Sequence, residues 1–280
     1  MELESALNVD SQVFRRILRG FIWSGLVQID KSERVELTPL GEYLREGSES
    51  SFKDDFLLAS EGVASHTALL HTLLTGESAF KHEYGVDYYQ HIRQQPVLMK
   101  HFYRRMTNSS KSVATAVLNA FDFSCYQTIV DVGGGTGELI SAILKRYTDS
   151  KGILFDDYQV ADDAQRHLSA EGLANRCSVV TGNFFQSVSE GGDLYILKWI
   201  LHNWDEQQCI DILNNCRQAM GDQGKLLIIE SIVPETLGQP SPSTPMDLYV
   251  IDNRWARAEL AMNTAVCCRL AVLARRILET

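Results

Sequence analysis

Between Tyr126 and Leu144 the chain passes from a β-branched run, through a cluster of glycines, into a helical repeat. Few folds accommodate that order. Tyr126-Gln127-Thr128-Ile129-Val130 has the pattern of a buried strand. Asp131-Val132-Gly133-Gly134-Gly135-Thr136-Gly137-Glu138 follows, and Leu139, Ile140, Ile143 and Leu144 then recur at helical spacing. Strand, glycine turn and helix open a doubly wound α/β domain, in which a ligand sits over the carboxyl ends of the strands. Glycines let backbone approach that ligand, and the helix N-terminus offers unpaired N–H groups. The spacing is G-x-G-x-G, because Glu138 stands where the last glycine of a dinucleotide fingerprint would fall. Taken alone, the turn also fits a purely structural role.

Downstream, candidate strands at 127–132, 152–156, 177–181, 193–198 and 225–230 alternate with helices at 137–147, 161–170 and 205–220. That alternation predicts a mostly parallel sheet with right-handed crossovers. Upstream, residues 1–45 read as a winged-helix-like unit. Asp10 or Ser11 caps a helix bearing Val13, Phe14, Ile17, Leu18, Phe21 and Ile22, and a hairpin pairs Val27–Ile29 with Val35–Thr38. A short helix then starts at Thr38-Pro39. Residues 52–120 read as helical, broken near Gly76, Gly85 and Pro96. The expected domains are therefore 1–120, helical, and 121–251, α/β, with a tail over 252–280.

Composition narrows the function classes. A formal charge of −10 argues against non-specific nucleic-acid binding, which needs a basic surface. No apolar run reaches the roughly 18 residues of a membrane span, and the N-terminus lacks a signal-peptide pattern, so a cytoplasmic protein is expected. The six cysteines show no zinc spacing; reduced thiols and no metal are the reading.

A second informative block is Asp193–Glu206. A buried strand runs into Lys198, a helix begins near Asp205, and His202 falls on the loop between, on the side of the glycine turn. A histidine beside a cleft can serve as a general base, or can be a satisfied loop residue.

With these segments in order, the chain resembles the S-adenosylmethionine-dependent small-molecule O-methyltransferases, the family of the plant caffeate and acetylserotonin enzymes and bacterial antibiotic-tailoring enzymes. Leu37–Gly41, Phe102-Tyr103-Arg104-Arg105-Met106, Asp131–Gly137, Phe155-Asp156, Gly182-Asn183-Phe184-Phe185, Leu197–Trp204 and Leu226–Glu230 carry the resemblance, which spans roughly residues 3 to 251. It implies a Rossmann-like methyltransferase domain preceded by a helical, winged-helix-like dimerisation domain, and a homodimer. It also implies that Asp131, Gly133, Gly135, Asp156, Asn183, Phe184 and Lys198 contact S-adenosylmethionine. Asp156 would take the ribose hydroxyls and Phe184 would stack on adenine, while Asn183 replaces the acid usual near the base. Met106 and Trp199 would touch a hydroxylated aromatic or polyketide-like substrate. His202 matches the catalytic base and Glu230 the carboxylate that orients it.

Two departures stand out. Family members usually begin with one or two more helices, so dimerisation is expected to be weaker here, with apolar surface exposed on the 11–27 helix. After Ile251 the resemblance stops, and Asp252–Thr280 reads as a shifted reading frame. The last strands of the sheet are then expected to be missing, with low stability and impaired turnover. Two other functions compete: a member of the family with non-methylating chemistry, of the hydroxylase or decarboxylase type, and a DNA-binding regulator using residues 1–45.

Overall fold

The computed structural model describes residues 2–32, 34–47 and 51–230. The chain divides into two compact units between Ala59 and Ser60.

The first unit contains α1 (Glu2–Leu7), α2 (Ser11–Trp23), an antiparallel hairpin of β1 (Val27–Ile29) and β2 (Val35–Leu37), α3 (Pro39–Glu42) and the start of α4 (Lys53–Glu61). Asp10 caps α2 by accepting the Val13 N–H, and Thr38 caps α3, with Pro39 in its first turn. None of the described side chains of α2 is buried.

In the second unit, short helices α5 (Val63–Thr67), α6 (Leu69–Thr75), α7 (Ala79–Tyr84) and α8 (Tyr88–Arg93) lead into the long α9 (Pro96–Ala120). Gly76 and Gly85 end α6 and α7 in the left-handed conformation open to glycine, and Pro96 starts α9. There follow β3 (Thr128–Val132), α10 (Glu138–Arg146), β4 (Lys151–Asp156), α11 (Ala161–Ala170), β5 (Cys177–Thr181), β6 (Leu194–Lys198), α12 (Glu206–Met220) and β7 (Lys225–Ile229). Among the described residues the sheet has the order β5-β4-β3-β6-β7, and every pairing is parallel.

Parallel strands need cover on both faces, so their central members read as unbroken apolar runs. Along β3 and β6, Ile129, Leu194 and Ile196 enter one core with Leu139, Ile140, Ile143 and Leu168. Val130, Val132, Tyr195 and Leu197 enter the other with Cys209, Ile212 and Cys216 of α12. The compact units divide at 59/60, whereas the sequence places its domain boundary at 120; α9 packs within the second unit, where its Ala114 and Val117 belong to the α10-side core. The expected strand and helix limits in the α/β region hold to within about one residue. The readings made for 252–280 and for missing last strands lie outside the described residues.

Candidate active site

The glycine turn sits at the carboxyl end of β3, the middle strand. Gly133, Gly135 and Gly137 have φ of +70°, +60° and +88°, a region that costs an L side chain about 1–2 kcal/mol. Space is also closed at most of them. A Cβ on Gly133 would run into Ile200, one on Gly134 would meet the Asp131 carboxylate at 2.8 Å, and one on Gly137 would meet Leu154 Cδ1 at 2.7 Å. Gly135 opens into free space, and its N–H donates to Asp156 Oδ2 at 2.7 Å.

Over this turn lies a cleft of about 920 Å³, counting its open mouth. Gly133–Thr136, Asp156, Asp157 and Phe184 line one part of it. Lys198, Trp199, Ile200, Asn203 and Trp204 line another, and Tyr89, Arg93, Met99, Tyr103, Met106, Thr107 and Ser110 come from α8 and α9. Aromatic rings make up much of the wall. Trp204 stacks on Tyr89 at 5.9 Å between centroids and receives the edges of Phe184 and Phe185.

Charge is distributed unevenly across the cleft. Burial pushes the Asp156 carboxyl above its ordinary range, while N–H donation from Asp157 and Gly135 pulls it back. Asp131 is 1% exposed, and burial raises it to about 6, although Lys198 opposes the shift. Its Oδ2 has no hydrogen-bond partner among the described residues. Lys198 is itself buried, which lowers its pKa against the pull of Asp131 and Glu230. Its Nζ donates to Ser110 Oγ at 2.9 Å and lies 4.4 Å from the centre of the Trp199 ring. Trp199 has φ +58°, an unusual backbone conformation for a bulky residue, and its carbonyl accepts from Asn203 Nδ2. The other amide atom, Asn203 Oδ1, is buried without a partner among the described residues.

Next to the cleft, Leu201–Asn203 form a single 3₁₀ turn carrying His202. Its Nδ1 lies 2.7 Å from Glu230 Oε2, and Glu230 Oε1 accepts the Leu201 N–H at 3.0 Å. A carboxylate oxygen accepts, so in this contact Nδ1 is the donor and Nε2 is the ring nitrogen not engaged by Glu230.

Of the residues expected at the site, Gly133, Gly135, Asp156, Phe184, Lys198, Met106 and Trp199 come together in the cleft. Four do not line it. Asp131 is buried beneath Gly134, at a supporting place under the turn. Asn183 is exposed, and its Oδ1 is occupied by the Phe185 N–H in a side-chain turn. His202 and Glu230 flank the lining residues Ile200 and Asn203 without belonging to the wall. Sequence reasoning missed Tyr89, Arg93, Thr107, Ser110 and Thr136. A faint signal existed: Thr107 and Ser110 place hydroxyls three residues apart inside a helix, the spacing of one face.

Fold and cleft together define a Rossmann-like α/β methyltransferase. The chain belongs to the O-methyltransferase domain family, whose model matches residues 66–263. It is 37% identical over 235 residues to the phenazine O-methyltransferase PhzM of Lysobacter antibioticus, covering 84% of this chain and 69% of that one. The crystal structure of LaPhzM superposes with a TM-score of 0.83 at 36% identity, covering 90% of this chain and 76% of the other. NcsB1 of neocarzinostatin biosynthesis, solved with S-adenosylmethionine and 2-hydroxy-5-methyl naphthoic acid, gives 0.77 at 29% identity, with 90% and 77% covered. The protein is thus an S-adenosylmethionine-dependent O-methyltransferase. The relatives lend no support to a DNA-binding regulator or to non-methylating chemistry.

The residues present suit that cofactor. A floor without side chains lets a ligand lie against backbone, a carboxylate stands at the end of β4, and aromatic faces are at hand for a purine.

Proposed function

We propose that the protein methylates a hydroxyl of a small aromatic or polyketide-like molecule, with His202 as the base. Bound S-adenosylmethionine supplies an electrophilic sulfonium methyl group. Asp156 would hold the ribose hydroxyls as a two-oxygen acceptor, and Phe184 or Trp204 would face the adenine. Lys198, with three N–H donors of which Ser110 takes one, would hold a carbonyl or carboxylate oxygen of the amino-acid part.

The chemistry asked of His202 is modest. A phenol titrates near 10 and imidazole near 6.5, so complete proton transfer before attack would be uphill by about 5 kcal/mol. Nε2 therefore takes the proton as the oxygen attacks. Glu230 fixes the tautomer and stabilises the imidazolium as it forms. Tyr89, Phe102, Tyr103 and Met106 would wall the acceptor side with apolar and aromatic surface. Tyr103 stays protonated there, since burial and the nearby Asp156 and Asp157 push its pKa up.

The observation that carries this reading is the His202–Glu230 pair, anchored through Leu201 and set beside the cleft. Methyl transfer from labelled S-adenosylmethionine to a panel of phenols and hydroxynaphthoic acids, by the parent and by His202→Ala, tests it. Equal rates for the two would remove His202 from the role. The same reading includes a homodimer formed through the first unit, supported by Val13, Ile17, Phe21 and Trp23 of α2 standing exposed.

A further inference from the structure

Helix α9 touches the glycine turn and the end of β6 through two side-chain hydroxyls. Thr107 Oγ1 and Thr136 Oγ1 are 2.8 Å apart, joining the helix to the turn itself. One helical turn later, Ser110 Oγ accepts from Lys198 Nζ at 2.9 Å. Ser110 is 7% exposed, so water competes little for that bond. The two pins are three residues apart and share one face of the helix. One and four residues before Thr107, Met106 and Tyr103 line the same cleft.

Each pin ends on a group that the proposed function puts against the cofactor. Thr136 follows Gly135, whose N–H is fixed on Asp156. Lys198 lines the cleft at the end of β6. We infer that Thr107 and Ser110 are positioning residues: they tie the helix that carries the acceptor-side residues to the turn and lysine that hold the cofactor, so that filling one half of the site sets the geometry of the other. This rests on the reading of the cleft as the S-adenosylmethionine site.

What these two contacts set is the register of α9 over the turn. Apolar packing fixes the C-terminal part of α9 through Ala114 and Val117, but an apolar contact has no direction and tolerates a slide along the helix axis. A hydrogen bond does not: it weakens steeply away from its preferred distance and angle. Displacement of a positioned group by about 1 Å can cost roughly a hundredfold in rate. Two directional contacts, placed where the helix passes over the turn, supply the register that packing alone leaves loose. Ligand binding that orders Lys198 and the turn would then order α9 as well, which is coupling between sites through a shared element.

Hydrogen exchange read by mass spectrometry, with S-adenosylhomocysteine as the probe, tests this without needing the acceptor. In the parent, saturating S-adenosylhomocysteine should slow exchange across 100–112 of α9 by about tenfold. In the double variant T107V/S110A the probe should still bind, within about tenfold of the parent by calorimetry, while the slowing in α9 disappears. The hydroxyl-retaining variant T107S/S110T should recover it. Ligand-dependent protection of α9 that persists in T107V/S110A would overturn the inference. So would its loss in T107S/S110T at unchanged melting temperature. Failure of the parent to bind S-adenosylhomocysteine at all would remove the reading of the cleft, and this inference with it.

Discussion

Glu230 reaches two places at once: its Oε2 lies 2.7 Å from Nδ1 of His202, and its Oε1 holds the backbone N–H of Leu201, one residue earlier. The carboxylate therefore fixes both the ring and the turn that presents it. Removing the ring and removing its support should have different signatures. His202→Ala is expected to lower kcat by about 10²–10⁴-fold with S-adenosylhomocysteine affinity unchanged. Glu230→Gln keeps an acceptor for Leu201 but loses the charge, and should cost less, about tenfold to a hundredfold. Steady-state kinetics paired with calorimetry separates the two.

Asp156 accepts two backbone N–H groups, from Gly135 and Asp157, and faces the cleft. Asp156→Asn puts a donor where one of those acceptors stood. Affinity for S-adenosylhomocysteine should fall by about tenfold to a hundredfold, the consequence of losing one or two charge-assisted bonds. An unchanged dissociation constant would show that the strand-end carboxylate does not hold the nucleoside.

At Gly137 two penalties add. The backbone has φ +88°, and a Cβ would stand 2.7 Å from Leu154 in the core. Gly137→Ala should destabilise the protein by roughly 2–4 kcal/mol, from strain and overpacking together. Urea denaturation measures it directly. Gly172, also left-handed with φ +73° but with open space around it, provides the control and should cost less.

Asp131 offers a test of pH. Its carboxyl is raised from 3.8 to about 6 by burial, so in the window between those values the folded state holds a proton that the unfolded chain has released. Stability from this group is then full below about 4 and falls as pH rises toward 6, the reverse of an ordinary paired carboxylate. The fall in unfolding free energy between pH 4.5 and 6.5 should be shallower in Asp131→Asn than in the parent. Equal slopes would show that this carboxyl ionises in the fold as it does in water.

The α/β half of the fold was legible for a physical reason: strands buried on both faces leave unbroken apolar runs, and Ile129, Val130, Leu194–Leu197 and Leu226–Ile229 are such runs. Glycines forced to positive φ mark the turn equally plainly. What the sequence hid is tertiary. Nothing local tells that α9 shares a core with α10 and so belongs to the compact unit that begins at Ser60. Likewise nothing local tells that Asp131, a ligand contact by the family resemblance, lies under the turn, or that the Asn183 side-chain oxygen accepts the Phe185 N–H. Tyr89 and Arg93 come from a different part of the chain and meet the cleft only when α8 is in place.

The left-handed backbone at Trp199 has a practical consequence for anyone engineering this protein. A residue of that bulk at φ +58° gives up about 1–3 kcal/mol of folding free energy, and glycine at the same position would recover part of it while deleting the indole beside Lys198. A thermal screen run without an activity readout would register only the balance of relieved strain against lost indole packing, and would be blind to the loss of the contact with Lys198.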